Sequence, residues 1–399
     1  MGGLDAREKR ILLSTCYGHF MSHFNMLVFP AVVIPLTGAL GMDMGAVLRL
    51  SFWMYLLFGV TALPWGLAAD RWGARPLMRL FYIGTSAGAF AAAFWIDHPV
   101  GLSLSLAVIG LFAGIYHPAG LGIVAKEIRR VSLGMGYNGM FGNLGLATAP
   151  LITGLVNWVW GPQAAYLTLG LMNLTGLGLM GFFPESPSGE GGSGGASKNA
   201  SGVLRAFLIL LVAMMLGGIA YRGATVITPA YFELKNGEVF QGLSSLLGGR
   251  LSENLVATAS VSFIYLVGMI GQFTGGKVAD RFELKRSYLV FHLVTIPAAF
   301  LMAVVANVPL LLIATVYFFF LLGMQPIENT LVARYTPRRL RHSAFGTKFI
   351  LTFGVGSLAV MMVGAIENSW GIDWVFPVLG MVSVALVTTI VFLIRFAPK

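Results

Sequence analysis

Charge is what this sequence has least of. Asp, Glu, Lys and Arg make up 11% of its 399 residues, roughly half the share of a soluble globular chain. With 57% hydrophobic residues and a mean hydropathy of +0.80, a water-soluble fold is excluded, because so small a polar stock cannot cover a globular surface. Cysteine is nearly absent: Cys16 stands alone, which rules out an intrachain disulfide and gives no basis for thiol chemistry. No Gly-x-x-x-x-Gly-Lys-Ser/Thr run occurs, so an ion gradient, not ATP hydrolysis, is the expected energy source. No nucleophile–base pair or full metal set is evident, so neither an enzyme nor a cofactor is expected. Alternation with period two is also missing, and that excludes a transmembrane β-barrel.

What is present is a series of long, continuous apolar runs. A spanning helix takes about 20 mostly apolar residues. Runs of that size lie near 11–38, 46–69, 76–96, 100–125, 132–158 and 162–183, then near 204–232, 254–278, 286–306, 308–333, 342–366 and 371–395. The expected fold is all-α and integral to the membrane, with twelve transmembrane helices. Residues 1–10 are polar and the first apolar run is longer than a cleavable h-region, so it reads as a retained first span.

The net charge of +10 would suit nucleic acid, but its placement argues otherwise. The clusters are Arg7, Lys9 and Arg10; Arg71, Arg75 and Arg79; Lys126, Arg129 and Arg130; Lys277, Arg281, Lys285 and Arg286; Arg334, Arg338, Arg339 and Arg341; then Arg395 and Lys399. Threading the spans alternately puts all of them on one side. The other side holds only Lys235 and Arg250, with acids such as Asp43, Asp97, Glu233, Glu238, Glu253 and Asp373. That is the positive-inside pattern, so both termini are expected in the cytoplasm and the chain in the inner membrane.

A Ser- and Gly-rich stretch, 184–203, reads as a flexible, solvated cytoplasmic tether between two six-span halves, 1–183 and 204–399. An internal repeat joins the halves at a spacing of about 210 residues. Gly66-Leu-Ala-Ala-Asp70-Arg71-Trp-Gly73-Ala-Arg75 returns as Gly276-Lys-Val-Ala-Asp280-Arg281-Phe-Glu-Leu-Lys285, each copy between the second and third spans of its half. Gly114 to Pro118 is echoed by Gly323 to Pro326. Paired halves of this kind place a solute site near the membrane midplane, between them.

The repeated Gly-x-x-x-Asp-Arg-x-Gly-x-Arg stretch resembles the cytoplasmic loop motif of the major facilitator superfamily. The resemblance covers essentially the whole chain. It implies two six-helix bundles related by a pseudo-two-fold axis, a monomer, and transport by alternating access. It also implies a cytoplasmic gate of Asp70, Arg71 and Arg75, with Asp280 and Arg281 in the second copy, whose Asp contacts a neighbouring helix and whose Arg residues latch the face closed. The second copy has Glu283 where the motif has Gly. His19 and His23, Tyr116-His117-Pro118, Gly142-Asn143 and Pro150 resemble, more narrowly, the fosmidomycin-resistance branch, which implies proton-coupled efflux of drugs and small anions. That branch commonly has Asp where this chain has His23.

Ionisable residues inside spans are costly and usually face a cavity or a partner. Here they are His19, His23, His117, Arg222, Glu328 and Lys348. Arg222 is an always-charged planar fork suited to carboxylate, phosphate or phosphonate. It reads either as an anion anchor or as a helix lock paired to an acid such as Glu328. His19 and His23 share a helical face. They read as proton carriers, as substrate hydrogen-bond donors, as packing residues bonded to backbone or Asn25, or as a two-histidine chelate. Tyr116-His117-Pro118 and Gln325-Pro326 with Asn329 interrupt corresponding spans and read either as cavity lining or as hinges. Glu328 is the acidic candidate for proton coupling, alongside His23, and otherwise a partner for Arg334 or Lys348. Lys348 reads either as snorkelling to the cytoplasmic surface, the preferred reading, or as adding to an anion site. The outer stretch 233–253 reads as a lid or an interfacial helix.

These readings converge on a secondary active transporter of a small organic solute. Its candidate substrate-binding residues are His19, His23, Asn25, Tyr116, His117, Tyr221, Arg222, Gln325 and Asn329. The preferred version is export of an anion by proton antiport, with protons and membrane lipid as the other partners and no nucleic acid. Anion uptake by proton symport, a lipid or amphiphile transporter, a metal-ion transporter and a non-transporting membrane sensor are the competing readings.

Overall fold

The computed structural model describes residues 4–184, 200–336 and 347–397. Most of the expected linker, 185–199, lies outside the described residues, as do Arg338, Arg339, Arg341 and Lys399. The architecture is helical, with no strand among the described residues. The first span is α1 (Ala6–Ala31) with its continuation α2 (Val33–Leu40). A capping box starts α1: the Asp5 carboxylate accepts from the Glu8 N–H at 2.8 Å, and Glu8 accepts from the Asp5 N–H at 3.0 Å. Pro30 removes a backbone bond just before the 52° bend into α2.

The second span comprises α3 (Met44–Leu50), α4 (Phe52–Val60) and α5 (Ala62–Trp72), and the third is α6 (Ala74–Phe94). The fourth is α7 (Pro99–Ala113) and α8 (Tyr116–Glu127). The fifth and sixth lie within α9 (Val131–Leu179), which Gly161 breaks with φ 82°, a backbone conformation that costs glycine little. The second half runs α10 (Ala200–Lys235), α11 (Gly237–Leu246), α12 (Glu253–Arg281), α13 (Leu284–Val304), α14 (Asn307–Gly323) and α15 (Gln325–Arg334). A π-turn at Ile350–Gly354 and a 3-10 turn at Val355–Ser357 lead into α16 (Leu358–Trp370), and α17 (Val375–Phe396) closes the chain. Nine helices among the described residues are long and apolar enough to cross a membrane, or eleven with the two bent pairs. Reading the broken α9 as two spans brings this to twelve, in keeping with the sequence expectation.

Several polar side chains inside the helical bundle find internal partners, which lowers their cost in a bilayer. Asn25 and Asn173 exchange hydrogen bonds of 3.3 and 2.9 Å, and Thr85 donates to the Asn173 carbonyl at 2.8 Å. Lipid-side positions carry exposed Trp53, Phe94 and Trp160 instead. The outer stretch forms a helix: α11 is a short, surface-lying segment with Leu243 and Leu246 exposed.

The halves meet most closely at the end of the molecule away from the termini. Asn254 of α12 donates to the Ala31 carbonyl and accepts from Asn157, both at 2.9 Å. Ser262 accepts from the Leu151 N–H at 2.9 Å. Gly45 of α3 faces α16 so closely that a Cβ there would lie 2.4 Å from the Gly364 carbonyl oxygen. Among the described residues the ion pairs at the opposite end do not cross between the halves: Arg129 pairs with Glu8 and Asp5, and Arg7 and Arg75 with Glu127, in the first half, and Arg286 with Glu283 in the second. The far end is therefore a seal of backbone-close contacts. Gly45→Val is expected to wedge it open. A cysteine at Asn157, in a Cys16→Ala background, should then react about tenfold faster or more with an impermeant maleimide, the signature of a population shift of about 1.4 kcal/mol or more. An unchanged rate would mean that the seal does not depend on this contact.

Candidate functional site

Between the halves, on the terminus side of the seal, lies a cavity of about 240 Å³. Both halves line it. His19 and His23 come from α1, His117 from α8, and Gly139, Asn143 and Leu146 from α9. Tyr221 comes from α10, Gln272 from α12, and Gln325, Glu328 and Asn329 from α15. Lys348, Phe349, Thr352 and Phe353 complete the wall.

Three groupings organise it. The first is a histidine cluster. Ring centroids of His19 and His23 are 5.0 Å apart, and His117 stands 5.4 and 5.6 Å from them. The break between α7 and α8 carries His117 inward, as its neighbouring Pro118 suggested. Phe349 stacks on His117 at 4.8 Å and on Phe353 at 5.5 Å, so an aromatic wall from the second half closes over the cluster.

The second grouping is a buried ion pair. Glu328 accepts from the Lys348 ammonium and from the Tyr288 hydroxyl, each at 2.7 Å, and Lys348 also donates to Asn329. Side-chain exposures are 3% for Glu328 and 10% for Lys348. Lys348 is thus tied inward to a carboxylate and does not snorkel. Its α15 partner lies close to the interruption at Gln325-Pro326, which turns Glu328 toward it. The third grouping is a polar bridge across the halves: Asn143 donates to Gln272 at 2.6 Å, and Gln272 donates to Gln325 at 3.0 Å.

Arg222 stands apart from all three. It is 3% exposed, its guanidinium carbon lies 3.8 Å from the Tyr55 ring centroid, and its Nε has no hydrogen-bond partner. It sits behind the wall that Tyr221 lines. No carboxylate forms an ion pair with it among the described residues, and Glu328 has another partner, so the helix-lock alternative finds no counterpart here.

Of the residues singled out in the sequence, His19, His23, His117, Tyr221, Gln325, Glu328 and Asn329 therefore meet at the cavity. Asn25 is engaged with Asn173, and Tyr116 donates to the Thr15 carbonyl at 2.7 Å inside the first half, so neither lines it. Among the gate residues, Arg75 reaches Glu127 at 3.0 Å, and exposed Asp70 is 3.7 Å from Lys126. Arg71, Asp280 and Arg281 are exposed. Sequence reasoning passed over Gln272 and the Phe349–Phe353 pair as wall residues. A lone Gln in an apolar span was the available signal for the first. Aromatic residues four apart were the signal for the second, but such pairs mark ordinary packing just as often.

The profile of the Major Facilitator Superfamily matches residues 15–347. No curated protein sequence matches the chain. Among solved structures, the chain is similar to a D-xylose-proton symporter, with a TM-score of 0.78 at 13% identity over 99% of both chains. It is also similar to the nucleoside transporter NupG, with a TM-score of 0.76 at 15% identity over 96% of this chain and 99% of that one. A bacterial homologue of the human lysosomal transporter Spinster matches with a TM-score of 0.70 at 16% identity, over 99% of this chain and 96% of that one. At these identities the likeness is one of fold.

Proposed function

This chain belongs to the Major Facilitator Superfamily, and from that premise we propose that it moves a small organic anion by alternating access coupled to protons. The observation that carries the anion preference is the charge balance around the cavity. Glu328 neutralises Lys348, while Arg222 is buried without a carboxylate partner among the described residues. A buried charge left uncompensated in low dielectric is costly and attracts a counterion. A carboxylate, phosphate or phosphonate in the cavity supplies it across the Tyr221 wall, through charge attraction and not through direct contact, since Arg222 does not line the cavity.

Coupling runs through the Glu328–Lys348 pair, with His23 as the second candidate carrier. A proton on Glu328 ends the ion pair and frees Lys348 to meet the solute's acidic group. In that scheme proton and anion bind together, which favours symport. Antiport, the direction that the branch resemblance implies, requires proton and solute to compete instead. The positive-inside charge pattern orients the termini toward the cytoplasm, so the sealed far end faces outward and the cavity corresponds to an inward-facing state. Rocking of 1–183 against 204–399 then exchanges access.

Proteoliposomes holding a lumenal pH dye test the reading directly. Addition of carboxylates, phosphate esters or phosphonates is expected to move protons only when the protein is present. Lumenal acidification on external addition marks symport, and alkalinisation marks antiport. No anion-dependent proton movement across the series would sink the coupling proposal.

A further inference from the structure

His19 and His23 are one helical turn apart on α1, and α8 brings His117 against both. One ring nitrogen of each lies within 4.8 Å of the others. Two features separate this cluster from simple packing. His19 Nδ1 is 2.9 Å from the Asn138 carbonyl, which can only accept, so Nδ1 carries the hydrogen and Nε2 keeps its lone pair. Metal-bound histidines are commonly fixed by such a second hydrogen bond. His117 is 7% exposed, and neither of its ring nitrogens has a hydrogen-bond partner. A buried polar group in that condition requires an explanation, and a bound cation provides one.

We propose that His19, His23 and His117 form a site for a divalent transition metal of the zinc class, with an open coordination position facing the solute cavity. Imidazoles without a thiolate or carboxylate suit Zn²⁺, Co²⁺, Ni²⁺ or Cu²⁺, whereas Mg²⁺ and Ca²⁺ take oxygen ligands. Zinc–nitrogen bonds of about 2.0–2.1 Å in a tetrahedron hold ligand nitrogens roughly 3.3 Å apart. The ring nitrogens therefore close by up to roughly 1.5 Å around the ion, a movement that side-chain rotation supplies. Gly142 gives His19 its place in this cluster: a Cβ there would lie 2.6 Å from His19 Nε2.

All three side chains line the cavity, so the fourth position opens onto it, as in three-ligand zinc sites that retain water. Arg222, next in sequence to cavity-lining Tyr221, carries a like charge that opposes a bare dication. An anionic fourth ligand, either hydroxide or the acidic group of a solute, balances the two cations. Only that last step rests on the anion reading; the metal site stands without it.

The test uses full-length protein, purified without a polyhistidine tag and stripped by chelator, then titrated with Co²⁺ and, separately, with Zn²⁺ against a colorimetric indicator. One Co²⁺ per chain is expected, with the intense visible bands of a tetrahedral ion. His117→Gln should weaken binding by more than about tenfold, while His98→Gln, at an exposed helix cap, should leave it unchanged. His117→Cys should keep the ion and add a thiolate-to-cobalt charge-transfer band, which a packing residue would not create. Absence of saturable Co²⁺ binding in wild type would overturn the proposal. So would equal binding in the His19→Gln/His23→Gln/His117→Gln variant. Either result leaves the anion reading intact, because that reading is judged by flux and by Arg222.

Discussion

Arg222→Gln is expected to erase the thermal stabilisation that an anionic solute confers on the wild-type protein. A ligand that binds only the folded state raises the melting temperature with its concentration over Kd. The guanidinium is a charge without a carboxylate partner behind the Tyr221 wall, and its attraction for an anion across roughly 8 Å at an effective dielectric of about 20 is worth about 2 kcal/mol. Its loss therefore weakens anion binding about ten- to a hundredfold, enough to abolish a melting shift measured near the wild-type Kd. In the absence of solute the variant should change little in stability, since Gln removes a buried charge that has no carboxylate to neutralise it but also gives up the contact with the Tyr55 ring. Equal shifts in both proteins across carboxylates, phosphate esters and phosphonates would remove Arg222 as the anchor.

Glu328→Gln is expected to abolish the pH dependence of transport and to destabilise the protein together. Removing one partner of a buried ion pair costs about 3–5 kcal/mol, because the remaining charge stays desolvated. Here that charge is Lys348, left with Asn329 and the cavity. Glu328→Gln/Lys348→Met removes both charges and should recover most of the lost stability without restoring proton coupling. That contrast separates the structural role of the pair from its coupling role. A Glu328→Gln variant that still moves protons with the solute would transfer the coupling role to His23 in its metal-free form, since a metal-bound imidazole cannot carry that proton.

Much of the architecture was legible because a bilayer imposes a simple rule. Every backbone polar group must be bonded within the membrane, so long apolar runs become helices, and their number and order can be read from 11–38 to 371–395. The repeat from Asp70 to Asp280 exposed the duplication for the same reason, since it is a linear property of the chain. Even the two interrupted spans were visible, through Pro118 and Pro326. The kink at Gly161 was harder to foresee as a near-continuous turn, because the expected spans 132–158 and 162–183 left only Val159, Trp160 and Gly161 to mark it.

The site divided differently. His19 and His23 were legible as a pair because i, i+4 residues share a helical face whatever the helix packs against. The arrival of His117 on that face was not legible, nor was the closure of Phe349 over it. Glu328 was identified as a candidate acid, yet its choice between Arg222, Arg334 and Lys348 was open. Asn25 and Tyr116 show the converse: polar residues in a span belong equally to a cavity or to the bundle's internal bonding, and these two are used for the latter.

The sequence by itself determined that this protein is a helical membrane bundle built from two related halves, because hydropathy, charge asymmetry and repetition act along the chain and need no contacts. The tertiary structure decided which intramembrane polar groups meet. It joined Glu328 to Lys348, left Arg222 without a carboxylate partner among the described residues, and gathered three imidazoles at one wall. Those outcomes depend on helix rotation and on side-chain reach across gaps of a few ångströms, in a medium where the alternative to a partner is a desolvated charge. Neither quantity is written in the order of residues along one helix.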